Sequence, residues 1–281
     1  MKKRTWFITG INSGFGRHMA EQLLEKGDKV AGTVRNMNSV DDLKEKYGDL
    51  LWVSHLDVTD ITEIYEVVDK AFQQLGMIDV IISNAGYGLF GAAEELTNDQ
   101  VIHQINTNLM GPIQLIRAAL PHLRTQNSGR IIQLSSVAGQ VASAGGSLYN
   151  ATKWGIEGFI EALMQELAPF NIGLTLVEPG GARTNFSKVS LKLGPKLDAY
   201  EISPASYVRR ALESNAIVPL GDPMKMVKII IDSVDQHPAP KRIILGSDSY
   251  NAIRQALLSR IEELESQKEQ AFSTDFTNNK K

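Results

Sequence analysis

The 281-residue chain has no cysteine and no apolar run long enough to cross a membrane. The lack of cysteine excludes a disulfide framework and a thiolate metal site. A membrane-spanning helix needs about 18 or more consecutive apolar residues. The apolar run after the basic N-terminus is short and passes at once into glycines, so we expect no signal peptide. We therefore expect a soluble cytoplasmic protein without a membrane partner.

The chain also lacks an excess of either charge. It has 29 basic and 32 acidic side chains, for a formal net charge of -3. Without a broad basic field, nucleic acid is not expected as a partner. The 5 histidines show no paired spacing, so we predict no metal site.

Short apolar segments alternate with helical patterns along most of the chain. Near-continuous Ile, Val and Leu strands separated by helices indicate a parallel sheet that is covered on both faces. The sequence therefore predicts an α/β fold, a doubly wound Rossmann-type three-layer sandwich with a mainly parallel sheet of about seven strands. The predicted strands are residues 5–9, 29–34, 50–57, 78–83, 130–136, 172–179 and 241–245.

We expect one domain over residues 1–263. Within it, residues 181–223 are rich in Gly, Pro and Ser and too long for an ordinary connection, which predicts a functional loop over the substrate site. Residues 264–281 are polar and weakly periodic, so we expect a poorly ordered tail.

A glycine-rich turn lies between the first predicted strand and the first helix, in TGINSGFG. Glycines let the backbone approach a pyrophosphate there, and the new helix offers N–H groups to the anion. The spacing is not that of the usual GxGxxG fingerprint, and a simple tight turn is the alternative. The predicted dinucleotide contacts are Gly10, Asn12, Ser13, Gly14, Phe15 and Gly16.

Residues at the ends of the next strands predict the rest of the dinucleotide site. Arg35 suits a 2′-phosphate and favours NADP over NAD, unless it is simply a solvated surface residue. Asp57 could accept a hydrogen bond from the adenine amino group, and the small-residue turn after the fourth strand could pass close to the ribose. The predicted contacts here are Arg35, Asp57, Val58, Asn84, Ala85 and Gly86.

A hydroxyl, a phenol and an ammonium follow at Ser136, Tyr149 and Lys153. If residues 147–170 are helical, Tyr149 and Lys153 lie four apart on one face. A nearby cation favours the phenolate form of tyrosine, whose pKa is ordinarily about 10. The three side chains could therefore share one proton, although Tyr-x-x-x-Lys pairs also occur by chance.

With these elements in order, the chain resembles the short-chain dehydrogenase/reductase family over about residues 1–185. TGINSGFG, SNAG, YNATK and VEPGGART are similar to the family's motifs, and Ser83 departs from the usual first Asn of NNAG. The resemblance implies that Tyr149 is the general acid/base, that Lys153 lowers its pKa and holds the nicotinamide ribose, and that Ser136 orients the reacting oxygen. It also implies nicotinamide contacts from Pro179, Gly180, Ala182 and Thr184.

Asn108 is the residue that aligns with the family's catalytic Asn, with Asn106 as the competing candidate. Pro112 has no N–H, so in a helix the carbonyl of Asn108 loses its usual partner. That carbonyl could then hold a water that connects Tyr149 to solvent.

These observations predict an NADP(H)-preferring oxidoreductase, with NAD(H) as the alternative cofactor. It would interconvert a ketone or aldehyde and an alcohol by hydride transfer, on a medium-sized and largely apolar substrate. The alternatives are a non-catalytic NADP(H)-sensing protein and, within the enzymes, an epimerase or dehydratase.

We also expect a homodimer or homotetramer. The predicted substrate wall comprises Leu89, Phe90, Gln140, Val141 and Phe186.

Overall fold

Seven strands form one parallel sheet in the computed structural model, which describes residues 3–184, 190–214 and 218–276. In chain order the strands are β1 (Thr5–Thr9), β2 (Lys29–Val34), β3 (Leu51–His55), β4 (Val80–Ser83), β5 (Gly88–Phe90), β6 (Gly129–Leu134), β7 (Ile172–Pro179), β8 (Leu191–Leu193) and β9 (Arg242–Leu245). The large sheet has the order β3-β2-β1-β4-β6-β7-β9, and every pair in it is parallel. The predicted fold class is confirmed.

The strand order reverses between β1 and β4. The chain runs outward from β1 to β3 on one side and from β4 to β9 on the other. In such sheets ligands bind beyond the carboxyl ends of the strands at the reversal. The glycine-rich turn follows β1, so it lies at this edge.

Helices cover both faces of the sheet. They are α1 (Gly14–Glu25), α2 (Asp41–Tyr47), α3 (Ile61–Leu75), α4 (Asn98–Ile105), α5 (Gly111–Thr125), α6 (Ser147–Glu166), α7 (Tyr207–Glu213), α8 (Pro223–Asp232), α9 (Ser247–Ser266) and α10 (Lys268–Phe272). Successive side chains of a strand point to opposite faces. Accordingly, Trp6 and Ile8 pack in the core that includes α1 and α8, and Phe7 packs in the core that includes α3, α5 and α6. Over the described residues, no helix is both long and apolar enough to span a bilayer.

Helix α6 positions the predicted catalytic side chains. Its residues Ile156, Ile160 and Leu163 recur at helical spacing and are buried against the sheet. Apolar residues at helical spacing fit a core or an interface between copies equally well, and the structure places these three in the core. The buried stripe fixes the rotation of α6, and with it the direction of Tyr149 and Lys153.

Four short elements depart from the expected pattern. Strands β5 and β8 pair in a separate two-stranded parallel sheet, and α7 lies within the segment expected to be an irregular loop. Three-residue strands are too short to leave a periodic signal. In the segment expected to be poorly ordered, α10 forms a short exposed helix.

Candidate active site

The turn between β1 and α1 has the geometry of a phosphate cradle. Gly10 and Gly14 have φ of 75° and 54°, a region that favours glycine. A Cβ on Gly16 would lie 2.1 Å from the Gly10 carbonyl oxygen, so any side chain there would clash with the turn. The first turn of α1 has no acidic residue, and the Ser13 side chain makes no capping hydrogen bond. The N–H groups at this helix start therefore suit a pyrophosphate.

Hydrogen bonds hold this turn against its neighbours. The Asn84 side chain donates to the Thr9 carbonyl over 2.8 Å, and the Thr9 hydroxyl accepts from the N–H groups of Asn84 and Ala85. The Gly10 N–H donates to the Thr33 carbonyl over 2.9 Å. The ends of β1, β2 and β4 are thus tied together. The predicted site did not include Thr9, although it begins the TGINSGFG motif.

The adenosine end of the predicted site carries opposite charges. Arg35 is exposed directly after β2. Burial acts to raise the pKa of Asp57, but two hydrogen bonds from Thr59 and the charge of Arg35 outweigh it, so that pKa lies below its ordinary value. Asp57 is therefore an ionised acceptor. Val58 follows it, and its carbonyl lies close to Gly111, where a Cβ would be 2.5 Å away.

The segment after β7 passes close to the start of α9. The Gly180 N–H donates to the Leu245 carbonyl over 2.8 Å, and a Cβ on Gly180 would lie 2.3 Å from a carboxylate oxygen of Asp248. The Gly181 N–H donates to the same carboxylate over 2.7 Å. These contacts hold the segment at the carboxyl edge of the sheet. It carries the predicted contacts Pro179, Gly180, Ala182 and Thr184.

Ser136, Tyr149 and Lys153 meet beside this edge. Ser136 follows β6, where its hydroxyl accepts from the Ala138 N–H over 3.1 Å. Burial raises the pKa of Tyr149, and a hydrogen bond with Ser136 opposes that shift. The Lys153 ammonium donates to the Leu134 carbonyl over 2.9 Å and lies 5.8 Å from the centre of the Tyr149 ring. The structure thus brings the three predicted groups together.

Burial lowers the pKa of Lys153 to about 8, and the negative charge of Glu157 opposes that shift. An amine with this pKa is still mainly protonated at pH 7. Its charge is nevertheless sensitive to small changes nearby, because one pKa unit is a tenfold change in the protonation equilibrium.

Asn108 lies in a π-helical turn, Asn106–Met110, between α4 and α5. Such turns are rare and frequently occur at functional sites. The Asn108 amide donates to the Tyr87 carbonyl over 2.7 Å and accepts from the Tyr87 N–H over 3.0 Å. Pro112 lies in the first turn of α5. The side chain of Asn108 therefore holds backbone near the site, and the water-holding role of its carbonyl stays a prediction.

One predicted wall residue lies directly at the phenol. The ring centres of Phe90 and Tyr149 are 5.4 Å apart. Leu89 is only 1% exposed and so belongs to the interior rather than to an open wall. Phe186 lies outside the described residues.

A buried carboxylate holds the β5–β8 region in place. Glu95 is 5% exposed and accepts from the N–H groups of Ala92 and Leu197 over 2.8 and 3.0 Å. It also forms an ion pair with Arg209 over 3.4 Å. These bonds fasten the segment after β8 to the segment after β5. Nothing in the sequence distinguishes Glu95 from surface glutamates, so sequence reasoning missed it.

Comparisons with known proteins identify the family. The profile of the short chain dehydrogenase family matches residues 4–192. Oxidoreductase BOA17 of Botryotinia fuckeliana is 34% identical over 247 residues, which are 88% of this chain and 90% of that protein. A solved short-chain dehydrogenase from Streptomyces avermitilis is 36% identical with a TM-score of 0.91, covering 98% of this chain and 99% of the other. A serine dehydrogenase solved in a closed form with NADP+ is 26% identical with a TM-score of 0.71, covering 85% and 94%.

The chain belongs to the short-chain dehydrogenase/reductase family. It is an NAD(P)-dependent oxidoreductase that acts on a small-molecule substrate.

Proposed function

We propose that the protein interconverts a ketone or aldehyde and an alcohol, with NADP(H) as the preferred cofactor and Tyr149 as the general acid/base. The observation that carries this proposal is the meeting of Ser136, Tyr149 and Lys153 beside the glycine-rich turn at the carboxyl edge of the sheet. A dinucleotide cradle and a proton-transfer group at one edge are what a hydride-transferring enzyme requires.

Each group has a distinct task in the proposed reaction. When bound, the cofactor supplies or accepts the hydride at C4 of its nicotinamide ring. In the reducing direction Tyr149 donates a proton to the carbonyl oxygen, and in the oxidising direction it takes the proton back. The pKa of a tyrosine is ordinarily about 10 and burial raises that of Tyr149 further, so the phenol is protonated at neutral pH and suited to be the acid. Ser136 orients the reacting oxygen, and the charge of Lys153 stabilises the phenolate that forms.

The site supports the assignment of cofactor contacts. The glycine-rich turn would hold the pyrophosphate, and Lys153 would hold the nicotinamide ribose. Arg35 is exposed at the end of β2, where it can pair with a 2′-phosphate, and a structural relative was solved with NADP+. We therefore expect Arg35→Ala to weaken NADPH binding while leaving NADH binding nearly unchanged.

The substrate is proposed to be medium-sized and largely apolar. Phe90 packs against Tyr149, so an apolar group on the substrate would lie next to an aromatic ring when its oxygen reaches the phenol. This contact supports ketones and aldehydes with alkyl or aryl groups as the substrate class.

The experiment is NADPH and NADH oxidation against a panel of aldehydes, ketones and diketones, with Tyr149→Phe measured in parallel. We expect wild-type turnover with NADPH and about a thousandfold loss in the variant, because a positioned general acid contributes on that order. Activity with NADH alone would contradict the proposed pairing of Arg35 with a 2′-phosphate. It would leave the proposed hydride and proton transfer unchanged. Tight NADPH binding without turnover on a broad panel would instead favour the sensor alternative.

We also propose that the protein is a homodimer or homotetramer. Apolar side chains at the surface of α9, including Leu258, Ile261 and Leu264, are consistent with a contact between copies. Light scattering measures the mass directly, and a monomer would contradict the proposal.

A further inference from the structure

Glu157 is a buried carboxylate one helical turn after Lys153 on α6, and the reaction proposed above does not use it. It is 3% exposed. Burying a charge is costly unless it is paired and hydrogen-bonded, and an apolar residue of similar volume is often the more stable choice. Its position therefore calls for a role other than stability.

The two oxygens of Glu157 accept hydrogen bonds on either side of Ser136, in the loop between β6 and α6. One oxygen accepts from the Ser135 hydroxyl over 2.5 Å, and the other accepts from the side-chain amide of Gln140. In between, a Cβ on Gly139 would lie 1.9 Å from the carboxylate, so the loop passes directly over it. Asn150, also on α6, donates to the carbonyls of Ala138 and Val141 over 2.9 and 2.7 Å, so the catalytic helix holds this loop through Glu157 and Asn150 together.

The same carboxylate is tied to the far edge of the sheet. Arg242, at the start of β9, donates to Glu157 over 2.6 Å. This guanidinium also pairs with the buried Glu178 on β7 and, over 2.6 Å, with Glu161 on the exposed side of α6. The cluster joins α6 to β7 and β9, so the carboxylate cannot swing away from the loop without breaking several bonds.

Glu157 also acts on the charge of Lys153. The ionisable groups around this site are Tyr149 and Glu157 on α6, Glu178 on β7 and Arg242 on β9. Burial alone disfavours the protonated lysine, and Glu157 favours it. Glu157 is thus placed both to hold the Ser136 loop and to keep the ammonium charged.

We propose that Glu157 is a positioning residue for the dehydrogenase reaction, fixing the loop of Ser136 and maintaining the charge on Lys153. This inference rests on the proposed function. It separates two effects: the negative charge of Glu157 favours the protonated Lys153 against burial, and the reach of its side chain helps to hold the loop.

The test uses Glu157→Gln, which keeps the size and removes the charge, and Glu157→Asp, which keeps the charge and shortens the reach. Glu161→Gln is the matched control, because it removes a carboxylate from the same helix and the same Arg242 while lying on the exposed side. Each variant is assayed for melting temperature, for NADPH affinity by fluorescence from pH 6 to 9.5, and for kcat and KM over the same range.

We expect the alkaline fall in NADPH affinity and in kcat/KM to move to lower pH by about one unit in Glu157→Gln, the usual effect of one nearby opposite charge. Glu157→Asp should keep the wild-type pH dependence and lose about tenfold in kcat with little change in KM, because a displaced group near the chemistry is costly. Glu161→Gln should follow the wild type in both profiles.

Unchanged pH profiles and kcat in both Glu157 variants would overturn the inference, as would an equal effect of Glu161→Gln. If Glu157→Gln does not fold, the result for Glu157→Asp decides, since an unchanged kcat in that variant contradicts the positioning role.

The measurement of NADPH affinity against pH does not require turnover. A wild type that binds NADPH without reducing any carbonyl would therefore defeat the proposed function, and the NADPH titration would still test Glu157. A wild type that binds neither cofactor would overturn both.

Discussion

Replacing Asn108 with alanine removes the two hydrogen bonds that its side chain makes with the Tyr87 backbone. Asn108 is 2% exposed and makes these bonds over 2.7 and 3.0 Å. Tyr87 directly precedes β5, whose Phe90 lies against the Tyr149 ring. The substitution should therefore lower both the stability of the protein and its activity.

The size of the stability loss follows from the partners that remain. The Tyr87 carbonyl still accepts from Gln104 over 3.0 Å, whereas the Tyr87 N–H loses its partner. Leaving the Tyr87 N–H without a partner and removing one of the two bonds to the Tyr87 carbonyl should lower the free energy of unfolding by about 2 kcal/mol. At about 2.1 cal/mol/K of unfolding entropy per residue, a chain of 281 residues loses about 3–4 °C in Tm for that amount.

Thermal unfolding followed by circular dichroism measures the shift, and NADPH oxidation at 25 °C measures the activity. Thr107→Ala is the matched control, because Thr107 lies in the same π-helical turn and its hydroxyl makes a long contact of 3.5 Å with the His103 ring. We expect its Tm to stay within about 1 °C of the wild type. A wild-type Tm for Asn108→Ala would refute the reasoning, since two buried hydrogen bonds would then contribute nothing.

Two further substitutions test buried carboxylates. Burial and the neighbouring Glu157 raise the pKa of Glu178 to about 7. The folded protein therefore holds this proton more tightly than the unfolded chain and loses stability as the pH rises from about 5 to 7. Glu178→Gln should match the wild-type Tm at pH 5 and exceed it by up to about 5 °C at pH 8, and equal pH dependence in both proteins would contradict this. Glu95→Ala removes the anchor of the segment after β8, so we expect KM for the carbonyl substrate to rise about tenfold with a smaller change in kcat. Steady-state kinetics tests this, with Asp99→Ala as the control because Asp99 is an exposed carboxylate near Glu95, and an unchanged KM in Glu95→Ala would show that the segment is held by other contacts.

Much of the architecture follows from local signals in the sequence. All seven strands of the main sheet were predicted from apolar segments, because strands buried on both faces read as continuous Ile, Val and Leu runs. The Tyr149 and Lys153 pairing was predicted from helical spacing alone, and the structure places both side chains on α6 beside Ser136.

The parts of the fold and of the site that local signals do not predict depend on contacts between residues distant in sequence. Glu157 bonds to Arg242, and Glu95 bonds to Arg209, across 85 and 114 positions of the chain. No local pattern predicts which carboxylate will be buried beside which guanidinium. Of the two carboxylates, only Glu157 has a signal in the sequence. It lies four residues after Lys153, so helical spacing predicts that it shares a face with that lysine. The π-helical turn at Asn108 was likewise hidden, since Pro112 predicts a break without specifying its form.

The most direct test of the central claim uses NADPH carrying deuterium in both positions at C4, in the wild type and in Tyr149→Phe, with a carbonyl substrate from the active panel. Mass spectrometry of the product alcohol should show one deuterium transferred from the cofactor to carbon in the wild type and no product in the variant. Product formed at the wild-type rate by Tyr149→Phe, or alcohol without deuterium, would contradict the account.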